Sequence, residues 1–317
     1  FLNGTYDLLT ELEDRLARFE HCEAAMVFTT GYQTNLGTIS ALMRAKDLVL
    51  MDRLSHASIV DGCRLAGCTV RSFKHNNVPH LEALLKKNAH RYKGKLIVVE
   101  GVFSMDGDRA PLSDIVRVAR TYGARVLVDE AHATGVLGKT GRGTVEHFNL
   151  HGHVDLVVGT FSKTLASTGG FVAGSAPAIN YIRHFARSYI FSASPTPPNV
   201  AAALKALEIV EREPELRDRL WHNIHYFHRE LKKRGFTVCP DPPQSAVIAV
   251  VIGSDIKLRK ISRAIHEAGV FLNSVVYPAV RKNFSRLRIS LSACHTREDL
   301  DYSLEVLANT GREYGII

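Results

Sequence analysis

The sequence predicts an α/β fold, with a large, mostly parallel sheet flanked by helices and a smaller α+β domain at the C-terminal end. Short apolar runs rich in branched residues alternate with stretches of helical period through the first two thirds of the chain, the pattern of a parallel sheet covered on both faces. After the proline cluster Ser194–Pro198 come long helical stretches and then shorter strands. Residues 1–212 are therefore expected to form the large domain and 213–317 the small one. No internal repeat or low-complexity linker interrupts either.

In chain order, residues 8–21 place apolar side chains at helical spacing, and Ala25–Thr29 reads as a short strand. Strands are expected at Leu48–Met51, Thr69–Phe73, Lys95–Glu100, Arg125–Asp129, Asp155–Gly159 and Gly170–Gly174. Helical patterns fill gaps between them, as at Leu81–Asn88 and Leu112–Tyr122. Two long helices, Asn199–Glu211 and Glu213–Arg234, precede strands at Ala246–Ile252, Val270–Asn273 and Leu287–Leu291.

The composition fits a soluble enzyme. The 317 residues are 45% hydrophobic, and no run approaches the roughly 20 apolar residues that span a membrane. A net charge of +8 raises the question of nucleic acid, but the basic residues are interleaved with acids and no aromatic-interleaved stripe accompanies them. A solvated basic surface is the first reading and attraction of an anionic substrate or carrier the second. Cys22, Cys63, Cys68, Cys239 and Cys294 form no CxxC pair and lack zinc-finger spacing; they read as reduced core thiols of a cytoplasmic protein, and no metal is expected. The chain opens at Phe1 without Met, inside what reads as a functional loop at Asn3-Gly4-Thr5, and is expected to be part of a longer chain.

The chemistry concentrates at strand ends. GTFSKT at 159–164 follows the apolar run Val154–Val158, and a second run ends in Asp129-Glu130-Ala131-His132. A lysine at the end of a buried strand can lose its proton to desolvation and form a Schiff base with an aldehyde. The hydroxyls of Thr160 and Ser162 suit a phosphate, and Asp129 is the partner that a pyridinium nitrogen requires. Each piece alone is a short motif of low specificity. Together, on the carboxyl ends of a parallel sheet, they read as a pyridoxal 5'-phosphate (PLP) site. Gly31 and Tyr32, after the Thr29-Thr30 strand end, are expected to open a helix whose first amides attract the phosphate, with Asn35 ordering that loop one turn on.

These segments, with FLNGT at 1–5, TTGYQTN at 29–35, DRLSHASIVDG at 52–62, EGVFSMDGDRAPL at 100–112, YIFSASPTPP at 189–198 and RLRISLSACHT at 286–296, carry a resemblance over essentially the whole chain. The sequence resembles the α-oxoamine synthases, PLP-dependent transferases of fold type I, which condense an amino acid with an acyl thioester and release carbon dioxide. FLNGT with GTFSK is most similar to bacterial serine palmitoyltransferases. Leu9 stands where many relatives carry His.

The resemblance implies roles. Lys163 would hold PLP and shuttle the α-proton, Asp129 would keep the pyridine nitrogen protonated, and His132 would reach the ring's phenolic oxygen. His56 would stack on the ring and polarise the thioester carbonyl. Ser104 joins the cofactor contacts, and Ser192 would reach the phosphate of a second subunit, implying a homodimer with shared sites. Arg288 is the expected clamp for the amino-acid carboxylate, because a guanidinium forms a bidentate fork. Arg286 is read as a surface arginine, strand parity allowing only one of the two to face the site.

L-Serine with a long-chain acyl-coenzyme A is the first substrate expectation, leading to sphingolipid biosynthesis. Alternatives within the family are 8-amino-7-oxononanoate synthase, glycine C-acetyltransferase and an enzyme using an acyl carrier protein. A non-catalytic partner subunit is the alternative of another class, and Lys163 argues against it.

Overall fold

The computed structural model describes residues 4–317, so the first three residues of FLNGT lie outside the described residues. Two units form, one comprising the chain up to Val102 with Arg109–Arg212, the other Phe103–Asp108 with Glu213–Ile317.

The first unit begins with α1 (Asp7–Phe19), β1 (Ala24–Phe28), α2 (Gly31–Leu42), β2 (Leu48–Asp52), α3 (Ala57–Ala66), β3 (Thr69–Phe73) and α4 (Val78–Asn88). It continues with β4 (Lys95–Glu100), α5 (Leu112–Thr121), β5 (Arg125–Asp129), α6 (Thr144–His147), β6 (Leu156–Thr160) and β7 (Gly170–Gly174). Helices α7 (Ala176–Phe185), α8 (Arg187–Ile190) and α9 (Pro197–Arg212) complete it. The strand order is β1-β7-β6-β5-β4-β2-β3. Strand β7 runs antiparallel to both β1 and β6, so all the other strands share one direction. The loop at 161–169 is shorter than the dozen or more residues a parallel crossover needs, which is why β7 returns antiparallel.

This sheet is buried on both faces. Along β1, Met26 and Phe28 pack with Ile39, Val49, Val98 and Ile182. Ala25 and Val27 point the other way, toward Leu9, Leu12, Leu16, Phe171 and Val200. Alternation along a strand sends successive side chains to opposite faces, so a continuous apolar run serves two cores at once. Each Leu, Val or Phe so enclosed contributes about 1.5–3 kcal/mol of burial.

The second unit adds α10 (Pro214–Lys233), β8 (Val238–Cys239), β9 (Val247–Gly253), α11 (Asp255–Glu267), β10 (Asn273–Val275), β11 (Ser285–Ser290) and α12 (Arg297–Glu313). Its antiparallel sheet has the order β10-β11-β9-β8. The strand expected at Val270–Asn273 instead begins at Asn273. Gly269, at φ +81°, follows the end of α11, and residues 270–272 are used in leaving that turn, so pairing starts only where Asn273 lies opposite Arg288.

Reading the cysteines as core thiols needs correction. Only Cys63 is buried; Cys22, Cys68 and Cys239 are half-buried and Cys294 is exposed, and all are free thiols. No described helix is long and apolar enough to cross a membrane. Among the described residues no cluster of three or more His, Cys, Asp or Glu could hold a metal ion.

Candidate active site

The shared direction of β1, β2, β4, β5 and β6 brings their carboxyl ends to one edge of the first unit, and with them most of the candidate residues. Thr30 caps α2 by accepting the Gln33 amide at 3.1 Å. The first amides of the helix, Gly31 and Tyr32, have no intrahelical acceptor. Gly31 lies so close to the end of β6 that a Cβ there would come within 2.8 Å of Thr160 Cβ and Oγ1. The Thr160 and Ser162 hydroxyls are 2.9 Å apart. The start of α2 and the Thr160 and Ser162 hydroxyls are therefore neighbours, a group of donors suited to a phosphate dianion once Thr160 turns from the Gly169 carbonyl, to which it donates at 3.2 Å.

Asp129 closes β5 and is 5% exposed. Its Oδ2 accepts from Asn35 Nδ2 at 2.7 Å and its Oδ1 from the Ala131 amide at 3.0 Å. The expectation that Asn35 orders the phosphate loop is thus corrected. It lies on the buried side of α2, where its side chain reaches Asp129 and, at 3.0 Å, Ser58 Oγ.

Lys163 stands in the turn after β6 and is exposed, not buried at a strand end as expected. Its neighbour Thr164 donates to the Thr134 carbonyl at 2.8 Å, and a Cβ on Gly135, at φ +77°, would overlap Thr164. That close approach ties the Lys163 turn to the loop carrying the half-buried His132. His56 is the N-cap of α3. Its amide donates to the buried Glu100 carboxylate at 2.7 Å, its Nδ1 lies 2.8 Å from Ser58 Oγ, and its ring meets the edge of Tyr32. The Tyr32 hydroxyl bonds Asp61, which pushes its pKa up from the ordinary phenol value. Beside the site, burial raises the Glu130 carboxyl to about 7.

Ser192 is half-buried, and its Oγ accepts from Gln33 Nε2 at 3.3 Å within the same chain. Ser104 belongs to the second unit, where its carbonyl accepts from Arg288 Nε at 2.5 Å. The parity expectation for the two arginines fails, because residues two apart on β11 share a face. Arg286 is no surface residue: it is 6% exposed and ion-paired with Asp106. Arg288 is half-buried, bonds Ser290 Oγ and has no carboxylate partner among the described residues. Burial lowers its pKa, yet a guanidinium keeps its charge.

The sequence reading missed Ser58, Glu100 and Gln33. Only Ser58 had a local signal, its place two residues beyond His56 at a helix start.

A model for aminotransferases of class I and II matches residues 2–307. An 8-amino-7-oxononanoate synthase from Symbiobacterium thermophilum is 44% identical over 99% of this chain and 80% of its own length. One from Bacillus subtilis is 42% identical over 99% of this chain and 79% of its own length. A serine palmitoyltransferase from S. paucimobilis superposes with a TM-score of 0.97 at 39% identity, covering 100% of this chain and 79% of that one. The chain belongs to the α-oxoamine synthase family. Members of this family depend on PLP. The buried Asp129, the phosphate-suited donors around Gly31 and Thr160, and Lys163 on the adjoining turn fit that cofactor.

Proposed function

We propose that the chain catalyses the decarboxylative condensation of a small amino acid with an acyl thioester, giving an α-amino ketone, carbon dioxide and a free thiol. The observation that carries this reading is the convergence of Lys163, Asp129, His56 and the α2 N-terminus on one sheet edge. PLP bound there supplies an electron sink for the amino acid's α-carbon. Lys163 Nζ holds the cofactor and then takes up the α-proton. Asp129 keeps a positive charge on the ring nitrogen, and His132 serves the phenolic oxygen. Thr160, Ser162 and the Gly31 and Tyr32 amides hold the phosphate, with Ser192 contributing to it in a homodimer. Arg288 fixes the substrate carboxylate, which determines the α-bond that is broken. His56 donates to the thioester carbonyl as negative charge develops on it.

Alanine with a pimeloyl thioester is the substrate pair we favour. It rests on the 41–44% identity to 8-amino-7-oxononanoate synthases, whose product name describes a seven-carbon acyl group joined to alanine with loss of one carbon as carbon dioxide. Serine with a long-chain acyl thioester is the second reading, supported by GTFSKT and by the close superposition on serine palmitoyltransferase. To decide, serine, alanine and glycine are each paired with palmitoyl, pimeloyl and acetyl thioesters, on coenzyme A and on a carrier protein, and products are weighed by mass spectrometry. The largest kcat/KM is expected for alanine with pimeloyl. Preference for serine with palmitoyl would establish the second reading, and absence of any amino ketone would overturn the proposed reaction.

A further inference from the structure

A directed hydrogen-bond chain links Asp129 to His56 through Asn35 and Ser58. Three of its members, Asp129, Asn35 and Ser58, are buried. An ionised Asp129 can only accept, so the side chain of Asn35 must present its NH₂ group to it. The opposite orientation would set a carbonyl oxygen against a carboxylate. This also explains why Asn35 Oδ1 is left buried without a partner: the orientation that would free it is worse.

The rest of the direction follows. Asn35 Nδ2 has two protons, one directed to Asp129 at 2.7 Å and the other to Ser58 Oγ at 3.0 Å. Ser58 Oγ therefore accepts from Asn35, and its single proton remains for His56 Nδ1 at 2.8 Å. The Ser58 backbone amide points at the same nitrogen from 3.3 Å. Two donors converging on Nδ1 require a lone pair there, which places the imidazole proton on Nε2.

We infer that Asn35 and Ser58 are positioning residues that lock His56 as the neutral Nε2–H tautomer, the charge on Asp129 setting the direction of the whole chain. His56 is thereby presented as a proton donor at Nε2, not as a base at Nδ1. Using that proton on a thioester carbonyl rests on the proposed condensation; the tautomer itself does not.

The test is made on the apoprotein at neutral pH, with ¹⁵N-labelled histidine imidazoles and long-range ¹H–¹⁵N correlation. His56→Gln identifies the signals. The parent protein should show Nδ1 as a pyridine-type and Nε2 as a pyrrole-type nitrogen. Ser58→Ala should move the two shifts toward each other, and Ser58→Thr should restore their separation. An Nδ1–H tautomer or an imidazolium in the parent would overturn the inference, as would an unchanged pattern in folded Ser58→Ala. In the PLP-loaded enzyme, Ser58→Ala should bind the cofactor normally but lose kcat roughly 10- to 100-fold, no more than the lower bound of the roughly 10²–10⁴-fold that a positioned proton donor contributes, because His56 is misdirected and not removed. If the apoprotein shifts behave as stated and no variant affects turnover, the tautomer stands and only the use assigned to it in the condensation fails.

Discussion

Asp129→Asn alters the site without altering its volume. The carboxylate accepts from Asn35 Nδ2 at 2.7 Å and from the Ala131 amide at 3.0 Å. A carboxamide has one oxygen for two donors, so its own NH₂ must face one of them. If it faces Asn35, relief comes only by turning over the Asn35 amide, whose oxygen then accepts from Ser58 Oγ and takes the proton directed at His56, while its NH₂ is left without a partner. A donor left unsatisfied in this buried place costs about 1–3 kcal/mol, which a melting curve of the apoprotein reads. The charge-assisted bond proposed between Asp129 and the pyridinium would be lost separately, a further 1.5–3 kcal/mol or so. At about 1.4 kcal/mol per tenfold, that corresponds to PLP binding weakened by about 10- to 150-fold. Titrating PLP into apoprotein and following cofactor absorbance measures it. A folded Asp129→Asn protein that binds PLP as tightly as the parent would refute the placement of the ring nitrogen at Asp129.

Three further outcomes follow from the same geometry. Gly31→Ala puts a Cβ within 2.8 Å of Thr160 and should cost about 1–3 kcal/mol through overpacking, with weaker PLP binding; an unchanged Tm and an unchanged PLP Kd would contradict the close approach. Arg288→Ala should keep PLP but weaken amino-acid binding about 10- to 150-fold by spectral titration, whereas Arg286→Ala, which removes the partner of the half-buried Asp106, should destabilise the protein by about 1–3 kcal/mol. Glu130, raised by burial from 4.5 to about 7, is more easily kept neutral in the folded state, so its contribution is full below pH 4.5 and disappears as pH rises through 7. Its ceiling is about 3 kcal/mol, and Glu130→Gln should therefore gain stability over the parent between pH 5 and 8; a pH-independent difference in Tm would count against it.

Much of the site was legible because its residues sit at strand ends, and strand ends are where an apolar run stops. Asp129 and Thr160 are the last residues of β5 and β6, and Gly31 opens α2 directly after β1. Their convergence needed only the parallel topology. The Asp129–Asn35–Ser58 chain was not legible, since Asn35 and Asp129 are 94 residues apart and no local pattern records which face of α2 turns toward β5. Lys163 read as buried because the run before it is; one turn beyond Thr160 the backbone has already emerged. Arg286 was misassigned for a different reason. Its partner Asp106 comes from a six-residue segment that joins the second unit from far upstream, a placement that strand periodicity does not encode.

The proposed condensation depends most on Lys163 as the residue that holds the cofactor. Purified protein loaded with PLP is reduced with sodium borohydride, digested, and the phosphopyridoxyl peptide sequenced by mass spectrometry. A single modified peptide carrying the label on Lys163 is expected, with no labelling and loss of turnover in a folded Lys163→Ala protein. A label on any other lysine, or full turnover by Lys163→Ala, would contradict it.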